Sequence, residues 1–151
     1  MFKKMLRELR PYEAALLVTE ETGIKDIVSQ FIGNPDLHHL CVIDTAGKLL
    51  GLINLKRLFK SIFSHHIAVD NRISNLLSFH TATISSDLML THVITATEDD
   101  SLDEVIRRMI ANNIREIPVL DQQGRVIGFV TLLIIMREWL RNQNDGNAKA
   151  E

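Results

Sequence analysis

Two adjacent histidine pairs, His38-His39 and His65-His66, and a single cysteine, Cys41, are the side chains most able to do metal or nucleophilic chemistry in this chain of 151 residues. Their spacing serves neither purpose. Neighbours in an extended strand point to opposite faces, so His38 and His39 do not easily share one metal. No partner set of cysteines and no His-Glu helix signature accompanies them. Cys41 lies in the apolar run LCVID, where a thiol is more naturally a small core residue. No Ser-His-Asp or Cys-His arrangement follows from the spacing, and Gly47-Lys48 lacks the rest of a phosphate-binding loop. The expectation is a protein without catalysis. What remains is binding chemistry: the hydroxyls of Thr19, Thr95, Thr97 and Thr131, the amide of Asn54, the guanidinium groups of Arg57 and Arg115, and the glycines Gly51 and Gly128. An arginine holds an anion bidentately, a hydroxyl bonds its oxygens, and a glycine lets backbone come close to a ligand. Each has a plainer use. Gly51 and Gly128 also suit close backbone packing in a hairpin. Asn54 and Thr131 also suit helix N-caps, and arginines are usually solvated.

The elements that carry these residues occur twice. Residues 40–63 read LCVIDTAGKLLGLINLKRLFKSIF and residues 117–140 read IPVLDQQGRVIGFVTLLIIMREWL. Asp44 matches Asp121, Gly47 matches Gly124 and Gly51 matches Gly128, each pair 77 positions apart. An internal repeat constrains the architecture before any single residue does. In the first copy Ala14 to Val18 predicts a short strand. Ile24, Ile27, Val28, Phe31 and Ile32 predict a helix face, closed by a left-handed turn at Gly33 and Asn34. Leu40 to Asp44 and Lys48 to Ile53 predict a hairpin, and Leu55, Leu58, Phe59, Ile62 and Phe63 a second helix. In the second copy Val93 to Ala96 is the strand, and Ser101 with Glu104 predicts a capping box. Leu102, Val105, Ile106, Met109 and Ile110 form the helix face. The hairpin runs from Ile117 to Asp121 and Val126 to Val130, and Leu132, Ile135, Met136, Trp139 and Leu140 are the inward face of the last helix. The first helices align at 78 rather than 77, so the loop at Gly33 to Asp36 holds one extra residue.

Bulk properties narrow the function classes. The chain is 46% hydrophobic and 24% charged, with a formal net charge of −2. That balance suits a globular protein and argues against a general nucleic-acid binder. One cysteine cannot form an internal disulfide, which suits a reducing cytoplasm. No apolar run approaches the roughly 20 residues of a membrane helix, and charges interrupt the start where a signal peptide would need an apolar stretch. The expected organisation is an amphipathic segment at 1–10, a first unit at 11–63 and a connector at 64–87 with a short helix from Asp70 bearing Ile73, Leu76 and Leu77. A second unit follows at 88–140 and a polar tail without order at 141–151. Phe2, Met5, Leu6 and Leu9 share one face of the first segment, with Lys3, Lys4, Arg7 and Arg10 around it; this predicts packing against the body of its own or a sister subunit in preference to contact with a membrane surface.

This repeated strand-helix-strand-strand-helix unit resembles the cystathionine-β-synthase (CBS) domain, and its tandem arrangement resembles a CBS pair, or Bateman module. The residues that carry the resemblance are Asp87-Leu88-Met89, Val93-Ile94-Thr95, Ser101-Leu102, Arg115 to Asp121 and Gly124 to Thr131. The first copy diverges more, with Cys41 at the place of Pro118 and Asn54 at that of Thr131. The resemblance implies an α+β fold of two β-α-β-β-α units in one pseudo-two-fold module, usually a homodimer through exposed helices. It also implies a regulatory, non-catalytic role in which an adenosine-containing ligand such as AMP, ADP or ATP binds in the cleft between units. The family's nucleotide motif places Gly, then Thr or Ser, then Asp at intervals of three. Gly128 and Thr131 match it and Ile134 stands at the Asp position; Gly51 matches, with Asn54 and Arg57 at the other two. Both carboxylates that the family uses for the ribose are absent, which weakens an ordinary AMP site by roughly 10–100-fold. Phosphates in the family lie near the start of the second strand, here His38, His39 and Arg115. The implied site is therefore Thr97, Arg115, Gly128 and Thr131 from one unit and His38, Gly51, Asn54 and Arg57 from the other. A ligand-free interaction scaffold is the competing expectation.

Overall fold

The structure is a computed structural model and describes residues 3–64 and 83–149. The helix expected from Asp70 and the pair His65-His66 lie outside the described residues. The chain groups into two compact units, Leu16–Val93, and Met1–Ala15 together with Ile94–Glu151. The first holds β1 (Leu17–Thr19), α1 (Ile24–Gly33), β2 (His39–Ile43), β3 (Leu49–Asn54), α2 (Leu55–Ile62) and α3 (Ser85–Leu88). The second holds β4 (Ala96–Thr97), α4 (Leu102–Ala111), β5 (Glu116–Leu120), β6 (Val126–Thr131) and α5 (Leu132–Ala148). Among the described residues each sheet has three strands, with the first parallel to the second and the second antiparallel to the third. The expected α+β architecture of two like units is therefore present.

The repeat extends to single hydrogen bonds. Asp44 Oδ1 accepts from the N–H groups of Ala46 and Lys48, both at 2.9 Å, and Asp121 Oδ1 accepts from those of Gln123 and Arg125, both at 2.9 Å. Gly47 and Gly124 close these turns at φ 83° and 80°, a left-handed geometry that glycine adopts without a Cβ clash. Ile27 and Phe31 of α1, and Leu102, Val105 and Met109 of α4, are buried as their periodicity predicts, but Ile32 and Ile110, at the end of each expected face, are exposed. Cys41 is fully buried, a core thiol.

Several local expectations are corrected. The first strands are shorter and later than 14–18 and 93–96, because pairing depends on where a partner lies and not on where apolarity begins. Leu16 lends only its carbonyl, to the Cys41 N–H at 2.8 Å. No left-handed residue ends α1. Asn34 has φ −138°, and its Nδ2 donates to the Gln30 carbonyl at 2.9 Å, which satisfies the helix end by itself. Ser101 caps α4 by accepting from the Glu104 N–H at 3.2 Å, but the Glu104 carboxylate turns to Arg107 and Arg108 instead of completing the box. The polar residues after Arg141 continue α5 to Ala148. Adding residues to an existing helix is far easier than starting one.

The largest correction concerns α5. Leu132, Met136, Trp139 and Leu140, expected to face inward, are exposed; Ile135 is half-buried and Glu138 is 4% exposed. In the first unit Leu58 and Ser61 of α2 face inward while Leu55, Phe59 and Phe63 face out. Ser61 and Glu138 are 77 positions apart, so both helices are rotated alike. Each helix starts at the residue after its strand ends, without a loop. The strand direction therefore sets the rotation, and local periodicity cannot report it.

Residues 4–13 form a strap on the second unit. Leu6 and Leu9, in a short 3-10 helix at Leu6–Leu9, are buried; Leu6 packs with Val105, Met109, Ile117, Val119 and Val130. Backbone bonds link Leu102 N–H to Lys4 O at 2.9 Å, Leu6 N–H to Asp100 O at 2.9 Å and Phe129 N–H to Glu13 O at 2.8 Å. Lys4 pairs with the buried Glu138.

Candidate functional site

The residues singled out for binding do not all meet. In the second unit Arg115 immediately precedes β5, and Thr131 ends β6. The Leu132 N–H donates to the Arg115 carbonyl at 3.0 Å, and Thr131 Oγ1 caps α5 by accepting from the Ile134 N–H at 3.3 Å. In the first unit the Leu55 N–H donates to the His38 carbonyl at 3.0 Å, and Asn54 Oδ1 caps α2 by accepting from the Arg57 N–H at 2.7 Å. Arg57 Nε donates to the Leu88 carbonyl at 2.7 Å. Each unit thus gathers one strand start, one strand end and one helix N-terminus at a single place, where the positive end of the helix dipole favours anions. The caps do not exhaust the capping groups. Thr131 uses an oxygen lone pair and keeps its O–H as a donor, and Asn54 keeps its NH₂.

Thr97 stands elsewhere. It pairs with Leu120, whereas Thr131 pairs with Glu116, four residues along β5. At ~3.3 Å per residue that offsets the two threonines by about 13 Å along the strands, and they also lie on opposite sides of β5. Beside Thr97 is a hollow of about 340 Å³ lined by Arg7, Asp99, Asp121 and Gln123 among others. Its carboxylates already have partners: Arg7 for Asp99, Arg10 for Glu98 and Arg125 for Asp121. Next to them Asp100 accepts from Arg108 at 2.7 Å and from the Thr97 N–H at 2.9 Å. Burial alone would raise the Asp100 carboxyl, but these donors outweigh it and hold it below its usual value. Arg10, and then Tyr12, hold Glu98 low, while burial and the Glu98 carboxylate push the Tyr12 hydroxyl up to about 12. Thr97 thus belongs to a scaffold that fixes the strap and the start of α4.

The two glycines are occupied by the protein itself. A Cβ on Gly51 would stand 2.7 Å from the Leu90 carbonyl and 3.0 Å from Met89 Sδ. On Gly128, at φ 155°, it would meet Tyr12 Cβ at 2.7 Å and the Glu13 carbonyl at 3.0 Å. Met89 and Tyr12 are themselves 77 positions apart, as are Leu90 and Glu13. Close packing, the plainer use, accounts for both glycines.

Sequence reasoning passed over one buried residue near the helix start. Glu116 is 4% exposed and lies directly opposite Thr131 in the ladder. Its sequence signal is a carboxylate opening an otherwise apolar strand, EIPVL, at the place of His39 in the first unit.

The CBS domain model matches residues 7–64 and 84–141. The chain belongs to the CBS domain family. Curated relatives include a homoserine O-acetyltransferase of Methanosphaera stadtmanae, 30% identical over 103 residues, which are 68% of this chain and 18% of that protein. A CBS domain-containing protein of Dictyostelium discoideum is 28% identical over 106 residues, 70% of this chain and 72% of that protein. The CBS chain therefore spans only about a fifth of the length of the first of these. Among solved structures, CBSX2 of Arabidopsis thaliana in complex with AMP has a TM-score of 0.71 at 19% identity, covering 92% of this chain and 98% of that one. The CBS domain pair of protein MJ0100, in complex with 5′-methylthioadenosine and S-adenosyl-L-methionine, has a TM-score of 0.67 at 25% identity, covering 90% and 99%. Among the described residues no helix is long and apolar enough to cross a membrane, and no group of three or more His, Cys, Asp or Glu side chains is arranged to hold a metal.

Proposed function

We propose that this CBS pair is a non-catalytic regulatory module that senses an adenosine-containing or other anionic metabolite, with AMP, ADP or ATP as first candidates. One observation carries the reading. Both units repeat the same constellation at a helix N-terminus, Asn54 with His38 and Arg57 in one and Thr131 with Arg115 in the other, in a chain similar over most of its length to pairs solved with adenosine compounds. The first turns of α2 and α5 contain no acidic residue. Donors prevail there, and an anion is the complementary ligand. The ligand regulates only insofar as it binds two arrangements of the module unequally. The module acts as a homodimer in a reducing compartment, where the lone, buried Cys41 is stable as a thiol.

Thermal unfolding with AMP, ADP, ATP, 5′-methylthioadenosine and S-adenosylmethionine tests the reading. A ligand at 100 times its Kd adds about 2.7 kcal/mol, or roughly 5–10 °C in Tm for a domain of this size. No shift with any compound at millimolar concentration, with no binding in equilibrium dialysis, would leave the ligand-free scaffold as the function.

A further inference from the structure

We infer that the strap, residues 4–13, regulates the second half-site: its docking fixes the angle between β6 and α5, and with it the grip of Thr131 and Arg115 on an anion. The inference rests on the proposed anionic ligand and names a control on that same site. All the residues involved belong to one compact unit. Thr131 is the junction of the two elements, because α5 starts at Leu132 directly after β6 ends. The strap holds both elements, one on each side of that junction. Two residues before Thr131, Phe129 and Glu13 exchange a pair of backbone hydrogen bonds, 2.8 and 3.0 Å, and Tyr12 packs on Gly128. Seven residues after it, about two turns into α5, Glu138 pairs with Lys4. Glu138 is 4% exposed, and Arg141, which also faces it at 3.5 Å, lies on α5 itself. Lys4 therefore ties this buried carboxylate to a different segment. A buried carboxylate that loses a cation is strongly destabilised, so with the strap withdrawn α5 gains by turning Glu138 toward water. Such a turn carries the capping hydroxyl of Thr131 and the Leu132 N–H away from Arg115, whose carbonyl that N–H now meets at 3.0 Å. Strap and anion thus favour the same arrangement, and each strengthens the other by reciprocity. The first unit has uncharged Ser61 at the place of Glu138, so this control acts on one half-site.

Amide hydrogen exchange of the intact chain, followed by NMR with and without saturating AMP or ATP, tests this. In the strap the N–H groups of Leu6, Arg7 and Glu13 bond the carbonyls of Asp100, Glu98 and Phe129; in the first unit those of Ser85 and Ser86 bond Thr22 and Glu20 in the same way and serve as controls. Bound nucleotide should slow the three strap amides about 5-fold or more beyond the two controls, the lower end of ordinary coupling between sites. Lys4→Met should weaken nucleotide binding by a similar factor and abolish the extra slowing, and Lys4→Arg should restore both. A merely structural Lys4 would lower Tm in Lys4→Met and leave the extra slowing intact. Equal slowing of strap and control amides with nucleotide bound overturns the inference, and so does extra slowing that survives in Lys4→Met. Should Lys4→Met not fold, the comparison within the intact chain decides alone. If neither nucleotide binds in equilibrium dialysis, the proposed function fails and this control with it, a result distinct from binding that leaves the strap amides untouched.

Discussion

At the scale of single residues, the glycines and the carboxylates make measurable claims. Gly128 is packed against the strap at distances no Cβ tolerates. Gly128→Ala should therefore destabilise the protein by about 1–3 kcal/mol, the usual cost of overpacking, read as a lower urea midpoint. A change within ~0.5 kcal/mol, the range of ordinary surface substitutions, would mean that Tyr12 and Glu13 move aside freely. Asp100 makes a claim about pH. Its folded carboxyl titrates below its unfolded value of about 3.9. A lowered carboxylate contributes stability that is complete above the unfolded value and is lost as pH falls through the folded one. Tm should accordingly fall between about pH 5 and pH 3. Asp100→Asn should cost about 1–2 kcal/mol at pH 7, a charged hydrogen bond discounted for partial exposure, and should flatten the acid limb. An acid limb identical to that of the parent would remove Asp100 from the account.

At the scale of elements, the strap is the clearest departure from reading the chain in order. Leu6 precedes the first repeat in sequence, yet it is fully buried in the core of the second unit. Leu6→Ala should cost about 2–5 kcal/mol, the range for a leucine truncated in a packed core, and denaturant titration followed by circular dichroism would show it. A loss below ~0.5 kcal/mol would make the strap a surface ornament. The periodicities of α1 and α4 identified most of their buried faces, all but the terminal Ile32 and Ile110, because those helices are connected by loops and settle by burying apolar surface. Those of α2 and α5 did not, since each is joined to its strand without slack. Ser61 and Glu138 went inward where Phe59, Met136 and Trp139 were the stronger apolar candidates.

At the scale of the whole molecule, the outward stripes matter. Leu55, Phe59 and Phe63 recur 77 positions later as Leu132, Met136 and Leu140, and all six are exposed. Exposed apolar residues aligned in a stripe mark an association surface more often than scattered ones do. The proposed homodimer would cover them. Sedimentation equilibrium should find a dimer, converted to monomer by Phe59→Glu with Met136→Glu without loss of helix content. A monomeric parent chain would refute the dimer and leave the ligand reading standing.

Duplication, turn chemistry and the helix-start caps were legible in the sequence because each is local: Asp44 and Asp121 bond their own hairpins, Gly47 and Gly124 their own turns, and Asn54 and Thr131 the next three residues. The family followed from the same repeated run. Tertiary structure alone decided that Tyr12 and Met89 fill the space above Gly128 and Gly51, that Thr97 and Thr131 lie on opposite sides of β5 and about 13 Å apart along it, and that Glu116 is paired with Thr131. These depend on which strand lies next to which and on the direction each helix leaves its strand. Contacts between residues far apart in sequence are fixed by that geometry, and no periodicity along the chain encodes it.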